Sequence, residues 1–496
     1  MVWYTAAPGA RTIGEPPQIA DLTHDSRLAG PGVGFVAVPG GSRDGHDYID
    51  DVVRAGAPAV VVQTDREAKW SPFVGRVPLV VVPDTRQAIG LLAAAVHGDP
   101  SARLRLIGVT GTDGKTTTAH LTAHVLSACG LASGYLTSVG FEAGAGFELN
   151  ASHMTTVEST TIQSKLAEAE RHGLQSMVVE SSSEGLAQHR LNGCHFDVAV
   201  FTNLTRDHLD FHGTMERYLE AKGRLFEMLD QQSENGFPKA AVLNAGDPAS
   251  EYLSTRSQAP VVTYGEAEGV DFRARDVQTV GVGLKFQIEA RGVTLKASLP
   301  LIGRFNALNA LAAMAVACSQ GSRLAEAVEA LSSFQGIPGR MERIDCGQPF
   351  RVFVDIASTP AALENVLKAL RPATKGQLWV VFGAAGGRDP ARRGGMGDVA
   401  GRLADRAVLT SEDPRDEDAE AIIAAIAEGL RQGGMSDPDF TSVVDRGEAI
   451  AQAFAHAGPD DTVLLAGKAT ETTMIVRGQA LPWDERAVAR ELLTGR

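Results

Sequence analysis

A glycine-rich segment that contains one lysine joins an apolar run to an apparent helix. It reads Gly-Val-Thr-Gly-Thr-Asp-Gly-Lys-Thr over residues 108–116. In such a junction, successive backbone amides at a helix N-terminus bind phosphate oxygens. Lys115 suits neutralisation of the β- and γ-phosphates, and the Thr116 hydroxyl suits Mg²⁺ binding. Val109 stands where the common G-x-x-x-x-G-K-T spacing has glycine. The segment predicts binding of a nucleoside triphosphate, and by itself it does not separate transport ATPases, kinases and GTPases.

Three residues downstream of this segment are candidate metal ligands. Glu180 lies in the apolar run SMVVES, His208 in TNLTRDHLD, and Lys222 in EAKGRLF. A glutamate at a strand terminus can help to hold Mg²⁺, which prefers oxygen ligands. Taken singly, each residue also has a structural interpretation: His208 as a helix N-terminal residue, for example, and Lys222 as a solvated cation.

The order of these motifs resembles the central domain of the Mur ligases. GTDGKTT is followed by Glu-x-Ser-Ser, then by TNLTRDHLDFHG and by EAKGRLF. In that family the lysine that matches Lys222 is carbamoylated by CO₂, so that a cation becomes an anionic ligand. The resemblance implies a first Mg²⁺ at Thr116 and Glu180, and a second at Glu180, His208 and carbamoylated Lys222. The implied catalytic residues are Lys115, Glu180, His208 and Lys222.

Two later segments resemble further parts of the family's ATP site. LIGRFNALNALAA is similar to the adenine-side segment, although Asn306 and Asn309 also suit helix capping and packing. GIPGRMERI is similar to the passage into the third domain, which puts Arg340 near the γ-phosphate and Asp355 at the matching strand end. The residues implied at ATP are Gly111, Thr112, Asp113, Gly114, Lys115, Thr116, Thr117, Asn306, Asn309, Arg340 and Asp355.

Within the family, the chain resembles over nearly its whole length the ligases that add the third residue of the peptide. THDSRLAGPGVGFVAVPGGSRDGHDYI is similar to a uridine-binding first domain, and MTTVES to a loop that binds muramyl peptide. The implied contacts with the UDP-linked peptide are Ser26, Asp44, Gly45, His46, Thr155, Thr156, Ser182, Gln188 and Arg190. The implied contacts with the incoming amino acid are Arg388, Asp413, Arg415, Gly467 and Glu471. A forked guanidinium suits a carboxylate, and an acidic group suits a distal ammonium.

The resemblance implies an ATP-dependent, ADP-forming ligase of peptidoglycan precursor synthesis, and thereby a role in cell-wall biogenesis, cell shape and cell division. The γ-phosphoryl group would pass to the D-glutamate carboxylate of UDP-N-acetylmuramoyl-L-alanyl-D-glutamate. The amine of L-lysine, L-ornithine or meso-diaminopimelate would then attack the acyl phosphate. ATP is a substrate, and the implied cofactors are Mg²⁺ and the CO₂-derived carbamate on Lys222. Two alternatives stay open: another peptide-adding ligase, such as a folylpolyglutamate-type enzyme, and a divergent nucleotide-binding homologue with a regulatory role.

Several positions depart from the family pattern, mainly on the amino-acid side. The family usually has histidine where Glu184, Ser358 and Thr470 stand. It usually has asparagine in place of Asp413, aspartate in place of Glu412, glycine in place of Ala469 and proline in place of Val157. The added negative charge of Asp413 leads to the hypothesis that the site favours a side chain ending in one ammonium, as in L-lysine or L-ornithine. Retained Arg388 and Arg415 favour the extra carboxylate of diaminopimelate instead. The effect of the replaced histidines stays open.

The elements that must position these residues are apolar runs alternating with helical patterns, which predicts α/β domains with parallel sheets. We expect a UDP-binding N-terminal domain (1–100), a central ATP-binding ligase domain (101–335) and a C-terminal amino-acid-binding domain (336–496). The central domain is predicted to have a P-loop-type parallel sheet with an antiparallel β excursion at about 270–300, where hydrophobicity alternates with period 2. Apolar runs that end in glycine or polar residues predict a Rossmann-like third domain with ligands beyond its strand ends.

Composition limits the class of partner. With 496 residues, 44% of them hydrophobic, the chain suits about three soluble domains. The net charge of −14 argues against nucleic acid held by general electrostatics. No apolar run is long enough to span a bilayer, and the N-terminal residues do not resemble a secretion signal. The four cysteines form no C-x-x-C pair, which argues against a metal cluster. We therefore expect a cytoplasmic, monomeric enzyme with no membrane partner.

Overall fold

The computed structural model describes residues 2–40, 43–152, 154–230, 236–388 and 390–495. The chain divides into two compact units. The first comprises Met1–Arg275, Gln287–Lys296 and Leu308–Leu331, and the second comprises Asp276–Phe286, Ala297–Ala307 and Ser332–Arg496. The domain boundaries after residues 100 and 335 stay predictions. No helix within the described ranges has the length and apolar character needed to cross a membrane.

The N-terminal part of the first unit is built on a five-stranded sheet of order β1-β5-β4-β3-β2. Its strands are β1 (Arg11–Ile13), β2 (Asp21–Thr23), β3 (Val33–Val36), β4 (Val60–Gln63) and β5 (Leu79–Val82), and its helices are α1 (Ile49–Arg54), α2 (Glu67–Trp70) and α3 (Thr85–Val96). Only β1 runs antiparallel to its neighbour. Asp84 begins α3 by accepting hydrogen bonds from the N–H groups of Arg86 and Gln87.

An eleven-stranded sheet carries the glycine-rich loop and the motifs that follow it. Its strands are β6 (Arg105–Thr110), β7 (Ser133–Leu136), β8 (Gly140–Glu142), β9 (Phe147–Leu149), β10 (Ser176–Glu180), β11 (Val198–Phe201), β12 (Ala240–Asn244), β13 (Val261–Gly265), β14 (Phe272–Val280), β15 (Gly283–Ala290) and β16 (Val293–Leu299). The helices along this stretch are α4 (Lys115–Ala128), α5 (Ser159–Arg171), α6 (Ser183–Ala187), α7 (Leu209–His212), α8 (Met215–Glu227), α9 (Ala249–Ser254), α10 (Phe305–Ser319) and α11 (Leu324–Leu331).

The centre of this sheet is parallel, in the order β13-β12-β11-β6-β10-β7. Its register pairs Glu180 with Val109 and Phe201 with Thr110, so the carboxyl ends of β10, β6 and β11 meet at one edge. These strands are almost entirely buried, as expected for a parallel sheet covered on both faces. The predicted β excursion is confirmed by β14, β15 and β16, which two-residue turns connect.

The second unit contains a six-stranded sheet of order β17-β18-β22-β19-β20-β21 and a separate two-stranded ribbon. The strands are β17 (Glu342–Ile344), β18 (Arg351–Asp355), β19 (Leu378–Phe382), β20 (Arg406–Leu409), β21 (Phe440–Ser442), β22 (Thr462–Ala466), β23 (Thr473–Val476) and β24 (Gln479–Pro482). The helices are α12 (Pro360–Leu370), α13 (Ala391–Leu403), α14 (Ala419–Gln432), α15 (Arg446–His456) and α16 (Glu485–Thr494). Because all pairs of the larger sheet except β17–β18 are parallel, the predicted Rossmann-like third domain is confirmed.

Candidate active site

The glycine-rich loop is held in shape by the segment that follows β11. The N–H of Thr112 donates to the Asn203 carbonyl (2.8 Å), and the N–H of Asp113 donates to the Asn203 side-chain oxygen (2.9 Å). The Thr202 hydroxyl donates to the Asp113 carbonyl (2.6 Å). Gly111 has φ +146°, and a Cβ there would lie 1.8 Å from the Thr202 hydroxyl oxygen. Glycine is therefore required at position 111, and these contacts fix the loop conformation.

Helix α4 begins directly after the loop without a side-chain cap. Its N-cap residue is Gly114, with φ +82°. The first amides of the helix, which include that of Thr117, are therefore suited to phosphate oxygens. A Cβ at Gly114 would lie 2.7 Å from Oδ1 of Asn309, which also accepts a hydrogen bond from the Thr118 hydroxyl (3.2 Å). Asn309 thus packs against the loop, whereas the Asn306 side chain donates to the Ile302 carbonyl (2.7 Å) at the start of α10.

Two lysines converge on the Gly111 carbonyl. Nζ of Lys115 donates to the carbonyls of Gly111 (3.1 Å) and Thr112 (2.7 Å), so its side chain folds across the loop. Nζ of Lys222 donates to the Gly111 carbonyl (2.8 Å) and lies 4.1 Å from the centre of the Tyr218 ring. Lys222 is only 1% exposed, so it is not a solvated surface cation. Burial, and secondarily the charge of Lys115, hold the pKa of Lys222 well below its usual value.

A hydroxyl and a carboxylate lie side by side at the strand ends. The Thr116 hydroxyl donates to Oε1 of Glu180 (2.7 Å) and lies 3.1 Å from the Ser138 hydroxyl. The backbone N–H of Ser138 donates to the other Glu180 oxygen. Glu180 is itself buried. Adjacent hydroxyl and carboxylate oxygens form a donor set of the kind that Mg²⁺ prefers, so Thr116 and Glu180 fit the first predicted metal site.

The second predicted metal site fits only a modified lysine. His208, the N-cap residue of α7, has φ +53° and contacts Glu184 (Nδ1 to Oε1, 3.2 Å) and Asp207 (3.4 Å). Its ring centre is 6.0 Å from that of Tyr218, the ring that also contacts Lys222. Within the described ranges, no group of three or more histidine, cysteine, aspartate or glutamate side chains could hold a metal ion. An unmodified lysine supplies no oxygen ligand, and a carbamate on Lys222 would supply two.

The predicted peptide-binding residues are joined to the end of β10. The Thr156 hydroxyl donates to the Glu180 carbonyl (2.7 Å) and accepts from the N–H of Ser182 (2.8 Å). The Arg190 guanidinium donates to the Thr156 carbonyl (2.8 Å) and to the Gln188 side chain (2.8 Å). Four of the five predicted positions, all except Thr155, therefore form one hydrogen-bonded group beside Glu180. Thr155 lies next to this group in a bend of the chain.

The predicted uridine-binding residues lie beyond the ends of β2 and β3. His46 is buried, its Nε2 accepts from the N–H of Gln63 (3.0 Å), and its Nδ1 therefore donates to Asp44 (2.7 Å) in the neutral ring. Burial lowers the pKa of His46. A Cβ at Gly45 would lie 2.6 Å from the Val38 nitrogen, so glycine is needed there too. Ser26 lies in a half-buried turn after β2.

In the second unit, Asp355 ends β18 and is buried. Its carboxylate accepts the backbone N–H groups of Met341 (2.8 Å) and Ala357 (2.8 Å). Burial raises the pKa of Asp355, and the neighbouring Arg340 guanidinium opposes that shift. Asp355 thus fixes the segment that carries Arg340, and the roles of both residues at ATP stay predictions.

Among the residues predicted to contact the incoming amino acid, Asp413 forms an ion pair that the sequence did not suggest. Oδ1 of Asp413 accepts from Nζ of Lys468 (2.9 Å) and from the N–H of Ile475 (2.8 Å). Lys468 also forms an ion pair with Glu471. Lys468 therefore offsets one of these two carboxylate charges, and Asp413 adds its negative charge to a group that contains a buried lysine. The hypothesis that the site favours L-lysine or L-ornithine over diaminopimelate stays a prediction.

Three other predicted residues lie on the loops after β19, β20 and β22. Gly467 has φ +112°, and a Cβ there would lie 2.7 Å from Oε2 of the buried Glu412. Arg415 adopts φ +55° and is bound through its backbone to Ile475 (3.0 Å). Arg388 is exposed on the loop after β19. The structure therefore gathers Asp413, Arg415 and Glu471 around the β23–β24 ribbon and its preceding turn.

Three family models match successive parts of the chain. They describe a Mur ligase family catalytic domain at residues 18–97, a Mur ligase middle domain at 109–317, and a Mur ligase glutamate ligase domain at 339–469. The chain belongs to the Mur ligase family. Members of this family are ATP-dependent amide ligases. The resemblance predicted from the motifs is thereby confirmed.

Individual Mur ligases match over almost the whole chain. The UDP-N-acetylmuramyl-tripeptide synthetase of Roseiflexus sp. (strain RS-1) is 44% identical over 490 residues, which cover 96% of this chain and 95% of the relative. The UDP-N-acetylmuramoyl-L-alanyl-D-glutamate–2,6-diaminopimelate ligase of Geobacillus thermodenitrificans (strain NG80-2) is 42% identical over 96% of this chain and 94% of its own length. A solved structure of a ligase with the latter name has a TM-score of 0.68 and 31% identity, covering 96% of this chain and 95% of the other.

Three departures from the Mur ligase pattern have visible consequences in the fold. Glu184, where the family usually has histidine, pairs with His208. Ala469, where the family usually has glycine, is buried with φ +44°, a conformation that glycine adopts without strain. Thr470 is buried, and its methyl group lies 2.7 Å from where a Cβ at Gly339 would be. Nothing in the structure explains Ser358.

Sequence reasoning missed several residues that shape this Mur ligase site. Ser138 comes from the turn after β7, where no charged or glycine-rich pattern marks it. Tyr218, whose hydroxyl lies 3.1 Å from the Thr112 hydroxyl, precedes Lys222 by one helical turn, and that spacing was a usable signal. Thr202 and Asn203 stand inside the TNLTRDHLD motif, although their role as supports of the loop was not predicted. Lys468 is one residue from a predicted position.

Proposed function

We propose that the chain is a Mur ligase of the MurE type, which joins a diamino acid to UDP-N-acetylmuramoyl-L-alanyl-D-glutamate with formation of ADP and phosphate. The observation that carries the proposal is the edge where β6, β10 and β11 end. There the fixed glycine-rich loop, the Thr116–Glu180 pair and buried Lys222 lie together. The proposal is supported by relatives that are 42–44% identical over nearly their full length and are named for this reaction.

In the proposed reaction the D-glutamate carboxylate attacks the γ-phosphorus of ATP, the bond to the ADP oxygen breaks, and an acyl phosphate forms. The amine of the incoming amino acid then attacks the acyl carbon, loses a proton, and phosphate leaves. Lys115 and the amides at the start of α4 offset charge on the phosphates. The peptide-binding residues beside Glu180 orient the acceptor carboxylate. Such orientation is the main contribution of the protein to this reaction.

We assign the first Mg²⁺ to Thr116 and Glu180, and the second to Glu180, His208 and a carbamate on Lys222. Bound Mg²⁺ would supply charge neutralisation at the γ-phosphoryl group. Carbamate formation joins the neutral Lys222 amine to the carbon of CO₂ with loss of one proton, so that conversion of the ammonium releases two protons in all. It would turn a buried cation, whose contacts are a carbonyl and an aromatic ring, into an oxygen ligand. Carbon-13 NMR after labelling with ¹³C-bicarbonate tests this: a carbamate resonance that a Lys222→Met variant lacks is expected.

We further propose that each of three domains binds one substrate: residues 1–100 the uridine nucleotide, 101–335 ATP, and 336–496 the amino acid. The acceptor contacts are Ser26, Asp44, Gly45, His46, Thr155, Thr156, Ser182, Gln188 and Arg190. The amino-acid contacts are Arg388, Asp413, Arg415, Gly467 and Glu471. Supply of ATP and of a nucleotide-linked precursor places the proposed enzyme in the cytoplasm, and the chain supplies each contact itself, so a monomer suffices.

A phosphate-release assay tests the proposed function. Purified protein, Mg-ATP and UDP-N-acetylmuramoyl-L-alanyl-D-glutamate are combined with meso-diaminopimelate, L-lysine or L-ornithine in turn. We expect phosphate release that requires both the acceptor and one of the three amino acids, with diaminopimelate tested first because of the relatives' names. A matched reaction lacks only the terminal D-glutamate of the acceptor. Release that is independent of the acceptor would overturn the proposal and leave a triphosphatase.

A further inference from the structure

Lys468 is a buried cation that connects two predicted contacts of the amino acid. It follows β22 by two residues, and its side chain is fully buried. Its Nζ donates to Oδ1 of Asp413 at 2.9 Å and also to the Glu471 carboxylate. The N–H of Glu471 donates to the Lys468 carbonyl (2.8 Å), which closes a short turn. One side chain thereby fixes the loop after β20 against the loop after β22.

The charge balance of this cluster depends on Lys468. Asp413 and Glu471 each carry one negative charge, and their side chains are only 13% and 32% exposed. The other buried cation nearby, Arg446, is already paired with Glu485 through two hydrogen bonds (2.8 and 2.5 Å). Without Lys468, two carboxylates of like charge would share a poorly solvated region, which is strongly unfavourable. With it, the pair retains one net negative charge.

We propose that Lys468 is a positioning residue for the amino-acid step, which it serves by cancelling the charge of Asp413 and holding the Glu471 carboxylate in place. This inference rests on the proposed function. The Lys468 ammonium offsets one of the two carboxylate charges, because it is bound to both Asp413 and Glu471. The site then presents one net negative charge, instead of two, to a distal ammonium.

A cycle of four proteins tests the proposal: wild type, Lys468→Met, Asp413→Asn and the double variant. KM is measured separately for the amino acid, for ATP and for the UDP-linked acceptor. We expect Lys468→Met to raise KM for the amino acid by about 10-fold or more, while the other two KM values change by less than about twofold, because two carboxylates lose their common counter-ion. The double variant recovers part of that loss, because one of the two uncompensated carboxylates is removed, so the two changes are not additive.

Two further variants make the result specific. Lys468→Arg keeps the charge and is expected to keep part of the activity. Lys165→Met is the matched control, since Lys165 of α5 also bridges two carboxylates, Glu148 on β9 and Glu168 on α5. It is expected to change no KM selectively. Thermal unfolding of all variants shows whether each one folds. If the Lys468→Met variant does not fold, the double variant still tests the proposal.

The possible failures are distinguishable. Wild-type protein that turns over with no amino acid overturns the proposed function, and the positioning role with it. Wild-type protein that turns over, together with a Lys468→Met variant that raises all three KM values equally or not at all, overturns the positioning role alone. Additive effects of Lys468→Met and Asp413→Asn on KM for the amino acid would also overturn it, because independent residues behave in that way.

Discussion

Three buried cationic side chains differ in the groups that offset their positive charge. Arg446 has the Glu485 carboxylate, and Lys468 has two carboxylates. Lys222, by contrast, contacts a backbone carbonyl and an aromatic ring among the described residues. A buried ammonium without a carboxylate partner is unfavourable unless it loses a proton or is modified. This contrast is the physical reason to assign chemistry to Lys222 and a structural or positioning role to the other two.

Replacement of Lys222 by methionine is expected to separate folding from activity. Methionine matches the unbranched stem of lysine and has no charge to bury, so the variant should fold with a melting temperature close to that of the wild type. Phosphate release should fall by about 100-fold or more, because charge stabilisation at the transferred group is lost. Lys368→Met, which removes an exposed lysine of α12, is the control. A Lys222→Met variant with wild-type turnover would contradict the assigned role.

Glu412 should make stability depend on pH. Burial, the largest effect, raises its pKa from 4.5 to about 7, against the opposing charges of Arg446 and Arg392. Below pH 4.5 the carboxyl is protonated in both the folded and the unfolded chain, and no stability is lost. Between pH 4.5 and about 7 the unfolded chain ionises while the folded chain stays neutral, so the free energy of unfolding falls; above about 7 the loss is complete.

The variant Glu412→Gln measures this effect, because its side chain is neutral at every pH. Relative to the variant, the wild type should lose on the order of 3 kcal/mol of unfolding free energy between pH 4.5 and 8. Urea denaturation at a series of pH values gives the difference. Exposed Glu491→Gln serves as the control for loss of one carboxylate. If the difference in unfolding free energy between wild type and variant stays constant over this range, burial does not disfavour the ionised form of Glu412.

At the scale of elements, the site depends on the parallel order β10-β6-β11, which brings three strand ends to one edge. Apolar runs that alternate with polar loops and helices predicted the parallel strands of this domain, because buried parallel strands have that pattern. The pattern could not predict Ser138, which a turn between two short strands contributes. It also could not predict that the segment after β11 supports the loop, since hydrogen bonds between loops leave no periodic signal in a sequence.

The support of the loop by Thr202 is tested by Gly111→Ala. A Cβ would lie 1.8 Å from the Thr202 hydroxyl oxygen, so the loop or the segment after β11 must move. We expect turnover to fall by about 100-fold, because a displacement of about 1 Å at a positioning site has an effect of that size. Gly130→Ala is the matched control, since Gly130 also has positive φ (+88°) but no atom lies within 4 Å of the added Cβ.

Gly130→Ala should destabilise the fold by about 1 kcal/mol through backbone strain and should leave the kcat of phosphate release unchanged. Comparing the two variants therefore separates strain from the clash. If both variants lower kcat equally, the loop does not depend on its contact with Thr202.

At the scale of the whole molecule, the order of motifs along the chain was sufficient to predict the family, and the three family models confirm it. The mixed α/β architecture and the β excursion were also predictable, because hydrophobic periodicity changes where the strands change. The compensation of Asp413 was not predictable, because Lys468 is 55 residues away and becomes its partner only when β20 and β22 fold into one sheet. An interpretation of charge from sequence alone therefore could not include this ion pair.

The central claim is that the acceptor carboxylate attacks the γ-phosphorus of ATP, and isotope transfer tests it most directly. The D-glutamate carboxylate of UDP-N-acetylmuramoyl-L-alanyl-D-glutamate is labelled with ¹⁸O, and the phosphate released in the presence of Mg-ATP and diaminopimelate is analysed by mass spectrometry. An acyl phosphate requires one ¹⁸O atom to pass from the carboxylate to each phosphate released, and that is the predicted result. Unlabelled phosphate would mean that water attacks ATP directly, and would contradict the ligase mechanism.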